Sequence, residues 1–262
     1  MNRYERLNAI VELVAERGQI DVETLAEELA VSTATIRRDL DHLAQQQFLT
    51  RTRGGAVAHS VAYDLPLRYK TARQASEKQR IAKAAADLVT AGMVIGLNGG
   101  TTATEVARAV AMRSDLRSAS GRSRAITIVT NAVNIANELT VRPHVKLVLT
   151  GGVARPQSYE LIGPLATHIL ENVSLDMAIL GVDGLTPDQG ASAHHEGEAV
   201  INQLMASRAR QVVVVTDSSK IGVQAFARIT PTEEIDLLIT DLDAPEDAIR
   251  RFEEAGVKVM RV

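Results

Sequence analysis

From about residue 93 onward the sequence is a succession of short, unbroken apolar runs, each stopping at small or polar residues and followed by a helical pattern. Val94 to Leu97 stops at Asn98-Gly99-Gly100-Thr101-Thr102, Ile126 to Val129 at Thr130-Asn131, and Leu147 to Leu149 at Thr150-Gly151-Gly152. Ala178 to Gly181 likewise runs into Asp183-Gly184, Val212 to Val215 into Thr216-Asp217-Ser218-Ser219-Lys220, and Leu237 to Ile239 into Thr240-Asp241. A strand that is apolar at every position has no face to give to water, so it belongs in a parallel sheet covered by helices on both sides. The carboxyl ends of such strands share one edge, and ligands bind there. These residues predict an α/β unit whose polar edge is rich in Thr, Asn, Gly and Asp with one Lys, as a small phosphorylated polyol requires.

Residues 3 to 47 read differently, as helix after helix. Leu7, Ile10, Val11 and Val14 recur at i, i+3, i+4 and i+7, the apolar stripe of an amphipathic helix that Gly18 is placed to end. A second helix from Val22 to Leu29 buries Leu25 and Leu29, Ala30-Val31 makes a short turn, and Ser32 caps a third helix with Ile36, Leu40 and Leu43 inward. Its opposite face carries Ala34, Arg38, Asp41 and Gln45, flanked by Thr35 and Arg37. A tight turn between the second and third helices makes a helix-turn-helix, whose third helix enters the major groove by its N-terminal turn. The hydroxyls of Ser32, Thr33 and Thr35 allow close approach, and Arg37 or Arg38 suits phosphate or a guanine edge. A strand from Phe48 and a turn at Gly54-Gly55 follow, with Arg51 and Arg53 two apart and so on one face, as a basic wing needs. The alternative is a three-helix interaction module whose arginines are a solvated face.

Charge makes any DNA contact a local matter. With 29 Lys and Arg against 32 Asp and Glu the formal charge is −3, which removes bulk basicity as an argument. Residues 1 to 57 hold seven Arg and nine acidic side chains, but residues 32 to 57 hold four Arg against Asp39 and Asp41. Four Tyr, three Phe and no Trp leave little with which to stack bases or sugar rings. The absence of Cys excludes disulfides and thiolate chemistry. No run approaches the ~18 uncharged apolar residues of a membrane span, and the charged opening segment does not resemble a signal peptide, so a cytoplasmic protein is expected. Organisation follows as a DNA-binding domain over 1–57, a polar linker over 58–76 broken by Pro66, and a sensor domain over 77–262 with a helix from about Glu77. Residues 114 to 124, rich in Ser and Arg, read as a solvated loop.

Within the polar edge, Asn98-Gly99-Gly100-Thr101-Thr102 presents backbone N–H groups and the positive end of a helix to an anion. It is not a Walker loop, which needs Lys beside the hydroxyl residue, nor does it have the spaced glycines of a dinucleotide fold. A tight strand-to-helix turn is the alternative. Lys220 offers a countercharge and Lys78 a weaker one. His194-His195-Glu196 brings two adjacent histidines whose directions diverge, and no third ligand is spaced near them, so neither metal nor cofactor is expected.

The segment VSTATIRRDLDHLAQQQFLTRTRGGAV resembles the signature of the DeoR family of bacterial transcriptional regulators. Glu77-Lys78, the Gly-Thr-Thr turn, Thr130-Asn131, Gly151-Gly152, Gly163, Gly181 with Asp183-Gly184, Glu198-Ala199 and Asp217-Ser218-Ser219-Lys220 fall in that family's order. The resemblance implies a winged helix-turn-helix followed by an α/β, mostly parallel-sheet sensor related in fold to ribose-5-phosphate isomerase. It implies a repressor of a sugar or polyol catabolic operon, released from its operator by a phosphorylated sugar-type effector. Ser32, Thr33, Thr35, Arg37, Arg38, Arg51 and Arg53 would then meet the operator. The effector's phosphate would lie against Gly100, Thr101, Thr102 and Lys220, with Lys78 near, while Asn98, Asn131, Gly152, Asp183 and Glu198 complete the cleft. Many relatives carry Asp where this chain has Asn98, which removes a hydroxyl acceptor and a repulsive charge. The competing function is a sugar-phosphate isomerase with Glu198 as general base near Asp183 and Lys220. A symmetric operator implies a homodimer or homotetramer.

Overall fold

The computed structural model describes residues 2–45, 48–58, 67, 74–116 and 126–262. The chain divides into two compact units, Met1–Ala72 and Arg73–Val262.

The first unit contains α1 (Arg3–Arg17), β1 (Gln19–Asp21), α2 (Val22–Glu28), α3 (Thr33–Gln45), β2 (Leu49–Arg51) and β3 (Gly55–Ala58). Asn2 and Glu5 close a reciprocal capping box on α1, and Asp21 caps α2 by accepting from Thr24 N at 2.8 Å. The turn into α3 is a Schellman motif: Val31 N donates to Ala26 O and Ala30 N to Glu27 O, with Ala30 left-handed at φ +52°. Ile10, Leu25, Ile36, Leu40 and Leu43 are fully buried in one core. Leu29, expected inside, is half-buried because it closes α2 at the surface.

The three strands form one antiparallel sheet in the order β1-β3-β2. Strand β1 was not foreseen, being three residues of which only Ile20 is buried. Gly55 belongs to β3 and not to the turn. A Cβ there would lie 2.1 Å from Ile20 O, so close pairing with β1 demands glycine. The expected pairing of Arg51 and Arg53 on one strand face is corrected: β2 ends at Arg51, and Arg53 sits in the bend before Gly55.

The second unit is built on a seven-stranded, wholly parallel sheet of β4 (Val94–Leu97), β5 (Ile126–Thr130), β6 (Val145–Leu149), β9 (Met177–Gly181), β12 (Val212–Val215), β14 (Leu237–Thr240) and β15 (Lys258–Arg261), ordered β15-β14-β12-β9-β4-β5-β6. Helices α4 (Ala75–Asp87), α5 (Thr101–Met112) and α6 (Val133–Leu139) cover one face; α7 (Pro164–Glu171), α8 (Glu196–Ser207) and α9 (Glu246–Glu254) cover the other. Alternate strand residues enter different cores: Met177, Ile179, Val213 and Val215 lie with α4 to α6, while Ala178, Leu180, Val212 and Val214 lie with α7 to α9. This double burial is why these strands are apolar at every position. Strand β15 escaped the sequence reading because, at the sheet's edge, it alternates exposed and half-buried residues. Two smaller antiparallel sheets, the hairpin β7 (Val153–Arg155) with β8 (Glu160–Ile162), and β10 (Gly184–Thr186) with β11 (Gly190–Ala193) and β13 (Ala227–Thr230), were likewise not foreseen. The expected linker and the Ser/Arg-rich loop lie largely outside the described residues.

Asp39 anchors α3 to α1. Its side chain is 4% exposed and accepts from Arg6 Nε at 2.6 Å, whereas Asp41 is 60% exposed in its 2.9 Å pair with Arg51. Removing one member of a buried pair leaves the other charge uncompensated, which costs about 3–5 kcal/mol, while an exposed pair contributes at most about 1 kcal/mol. Asp39→Ala is therefore expected to collapse amide hydrogen-exchange protection in α3, and Asp41→Ala to leave it nearly unchanged. Equal loss in the two variants contradicts the assignment.

Candidate functional site

In the first unit the N-terminal turn of α3 projects from the surface. Ser32, Thr33, Ala34, Arg37 and Arg38 are exposed and Thr35 is half-exposed. Ser32 Oγ accepts from Thr35 N at 3.2 Å and lies 2.9 Å from Thr35 Oγ1, so these hydroxyls fix the helix start as well as facing outward. Arg38 Nε folds back on Ala34 O at 3.3 Å. Arg51 is held by Asp41 and donates to Gly55 O at 2.7 Å, which rigidifies the wing and takes up much of that guanidinium. Arg53 is exposed at the wing tip.

In the second unit the strand order reverses between β4 and β9. From β4 the chain proceeds outward to β5 and β6, and from β9 to β12, β14 and β15, with helices on opposite faces. A crevice outside the carboxyl ends of the strands forms at such a reversal. Asn98 spans it: its Nδ2 donates to Gly181 O at 2.8 Å and its Oδ1 accepts from Gly181 N at 2.8 Å. Asn98 is 2% exposed, its amide engaged with the Gly181 backbone. The amide donates and accepts at once, a pairing that a carboxylate would not reproduce.

Gly100, at φ +109°, is the N-cap of α5, and no side chain caps that helix. The amides at Thr101 and Thr102 therefore open the helix with its positive end at the crevice. Asp183 flanks it from the end of β9, its Oδ2 accepting from His194 N at 3.0 Å. The Lys220 turn follows β12, two strands from β4 and so about 10 Å along the edge. Asp217 Oδ1 caps that turn at Ser219 N, and Asp241 Oδ2 binds Ser218 N at 2.6 Å. Lys78, near the start of α4, is 5% exposed. Gly152, at φ +119°, packs against the hairpin: a Cβ would meet Ile162 O at 2.8 Å, so this glycine serves close approach.

The hairpin brings in two residues that the sequence did not single out. Leu161 N donates to Asn131 O at 2.7 Å and Val133 N to Tyr159 O at 2.9 Å, which stitches the hairpin to the end of β5. This places Glu160, 4% exposed, with Oε2 accepting from Asn131 Nδ2 at 2.8 Å and the Gly99 N–H also bonded to its carboxyl. A Cβ on Gly99 would lie 2.4 Å from Glu160 Cγ, so only glycine fits beneath this side chain. Arg155 Nη1 binds Glu198 Oε1 at 3.1 Å, the two side chains being 10% and 8% exposed. Glu198, expected to face the effector or act as a base, forms a buried ion pair with Arg155. Burial first, and then the nearby Glu198 and Asp183 carboxylates, push the Glu160 carboxyl up to about 8. The clue in the sequence was a single acid inside the apolar stretch Tyr159-Glu160-Leu161-Ile162, within a segment that otherwise reads as loop.

His195 Nδ1 accepts from Gly197 N at 3.1 Å as N-cap of α8. Among the described residues no group of three acidic or histidine side chains is arranged to hold a metal, and no helix is long and apolar enough to cross a membrane.

Comparison with known proteins assigns both units. Residues 6–61 match the DeoR-like helix-turn-helix domain and residues 73–242 the DeoR C terminal sensor domain. The chain belongs to the DeoR family. The HTH-type transcriptional regulator GlpR of Haloferax volcanii is 36% identical over 257 residues, 98% of this chain and 96% of that protein. The glycerol-3-phosphate regulon repressor of Escherichia coli K12 is 33% identical over 245 residues, 94% of this DeoR-family chain and 93% of the relative. Both are named as regulators, not enzymes. A ribose 5-phosphate isomerase A from Methanocaldococcus jannaschii aligns with 56% of this chain and 55% of its own at 22% identity and a TM-score of 0.41, which says nothing of activity.

Glu160 makes the stability of this DeoR-family sensor depend on pH. Between the ordinary glutamate value of 4.5 and about 8, the native chain keeps a proton that the unfolded chain has released. Stability therefore falls as pH rises through that window and levels off above it. Thermal unfolding of the sensor should weaken from pH 5 to pH 8, and Glu160→Gln should flatten the decline. An identical slope in the variant rules out Glu160 as its source.

Proposed function

We propose that this DeoR-family chain is a DNA-binding repressor of a sugar or polyol catabolic operon, released from its operator when a phosphorylated sugar-type metabolite occupies the crevice at the β4/β9 reversal. The observation that carries this reading is the uncapped N-terminus of α5 opening at that reversal, beside a polar rim from five other strands. Backbone amides at Gly100, Thr101 and Thr102, with Lys220 and Lys78 as cationic partners, suit a phosphate monoester. Asn131 and Asp183 face the rest of the ligand, with the Arg155–Glu198 pair as a fixed wall. Relatives named as a glycerol-3-phosphate regulon repressor and as other HTH-type regulators agree with this class of function.

On the DNA side, Thr33, Arg37 and Arg38 at the start of α3 enter the major groove, Ser32 and Thr35 hold that turn, and Arg51 and Arg53 place the wing on the backbone. The protein acts in the cytoplasm as a homodimer or homotetramer on a two-fold symmetric operator. Effector binding shifts the balance between DNA-competent and incompetent arrangements by its differential affinity for them.

A gel-shift titration of the upstream intergenic DNA tests both halves. Arg38→Ala should weaken operator binding about tenfold or more, as loss of one good base or phosphate contact does, and leave effector binding intact. Thr101→Val should bind the operator like wild type yet need higher concentrations of sugar phosphate for release. No DNA retained at low salt, or no release by any phosphorylated sugar, sinks the corresponding half.

A further inference from the structure

Glu160 is a buried carboxyl whose hydrogen-bond donors among the described residues, Asn131 Nδ2 and the Gly99 N–H, are both neutral. Beneath it is the Gly99 backbone, which carries no charge, and beside it on β5 is the neutral amide of Asn131. From the start of α8 it is faced by Glu198, and from the loop after β9 by Asp183, whose neighbour His194 contributes a backbone N–H. Arg155 on β7 is bound to Glu198. Ionised, Glu160 would add a third carboxylate to those of Glu198 and Asp183.

The position of that carboxyl gives the crowding a functional consequence. It lies so close over Gly99 that no Cβ fits between them, and Gly99 immediately precedes the N-cap of α5. An anion at the Gly100–Thr102 amides is therefore a near neighbour of Glu160, inside a water-poor pocket where like charges repel strongly.

We propose that Glu160 is a specificity-determining residue of the effector cleft, admitting a dianionic phosphate monoester only while its carboxyl is the neutral acid. This deepens the phosphorylated-effector reading and rests on it. Binding of the dianion draws a proton onto Glu160 from solution. Effector affinity is fully present at neutral pH, where Glu160 holds its proton, and declines above about 8. Repression is thereby harder to relieve in an alkaline cell at the same metabolite level.

The experiment is calorimetric titration of the full chain at about pH 7 and about pH 9, where a phosphate monoester stays dianionic because its second pKa is ≈ 6. The probes are glycerol 3-phosphate, glucose 6-phosphate and ribose 5-phosphate. Wild type should bind about tenfold more weakly at the higher pH, as a single group with a pKa near 8 dictates, and Glu160→Gln should differ by less than about twofold between the two. A second measurement needs no variant: repeated near pH 8.5 in buffers of different ionisation enthalpy, wild-type binding should take up more than about half a proton. Equal affinity at the two pH values, the same tenfold loss in Glu160→Gln, or no proton uptake overturns the proposal and leaves the cleft assignment standing. If no probe binds at neutral pH, the cleft assignment fails and the proposal with it.

Discussion

A parallel sheet buried on both faces confines polar chemistry to its rims, and in the sensor unit everything functional follows from that confinement. Val213 and Val214 cannot carry a polar group because each points into a different core. The first positions free to be polar are those just beyond the carboxyl ends, and the β4/β9 reversal opens a crevice among them. Asn98 keeps the rims of that crevice in register by binding both backbone groups of Gly181. Glycine then recurs for steric reasons: at Gly96 a Cβ would strike Leu175 and Met205, and at Gly99 it would strike Glu160.

Electrostatics in the crevice is a contest between desolvation and attraction. Arg155 and Glu198 meet desolvation with mutual attraction and hydrogen bonding, the condition under which a buried pair is tolerated. Glu160 has only neutral donors, so the proton is its least costly counterion. Two carboxyls of the same residue type in one site thus differ in their partners, a guanidinium for Glu198 and neutral donors for Glu160. The positive end of α5 offers favourable potential to an anion, and a neutral Glu160 leaves it undiminished.

Legibility in the sequence followed the strength of the hydrophobic signal. The five inner strands were readable because double burial made them apolar, edge strand β6 was readable from Leu147 to Leu149, and the strand ends marked the crevice. The helix-turn-helix was readable from the spacing of Ile36, Leu40 and Leu43, all fully buried. Edge strand β15 and the short hairpins carry no such signal. Glu160 and Arg155 act through contacts across long stretches of sequence, Arg155 to Glu198 being 43 residues apart. No local pattern encodes that pairing. Asn98 was located by its motif, but its bridge to Gly181 was not legible, because the backbone it binds lies 83 residues away.

The same long-range pairing reshapes the charge of the DNA-facing unit. Sequence counts set Asp39 and Asp41 against four arginines, as if all six charges shared one surface. Asp39 instead turns inward to Arg6, and Asp41 is paired with Arg51. Arg37 and Arg38 on α3 and Arg53 on the wing are then left exposed at the helix start and wing, within a unit whose net over residues 1 to 57 is −2, seven Arg against nine acids. Few phosphates are neutralised by so sparse a set, and counterion release scales with their number. Specific recognition must then draw more on the fit of the α3 N-terminus into the groove than on bulk attraction, and a rigid wing braced by Arg51 on Asp41 and Gly55 serves that fit better than a mobile charge would.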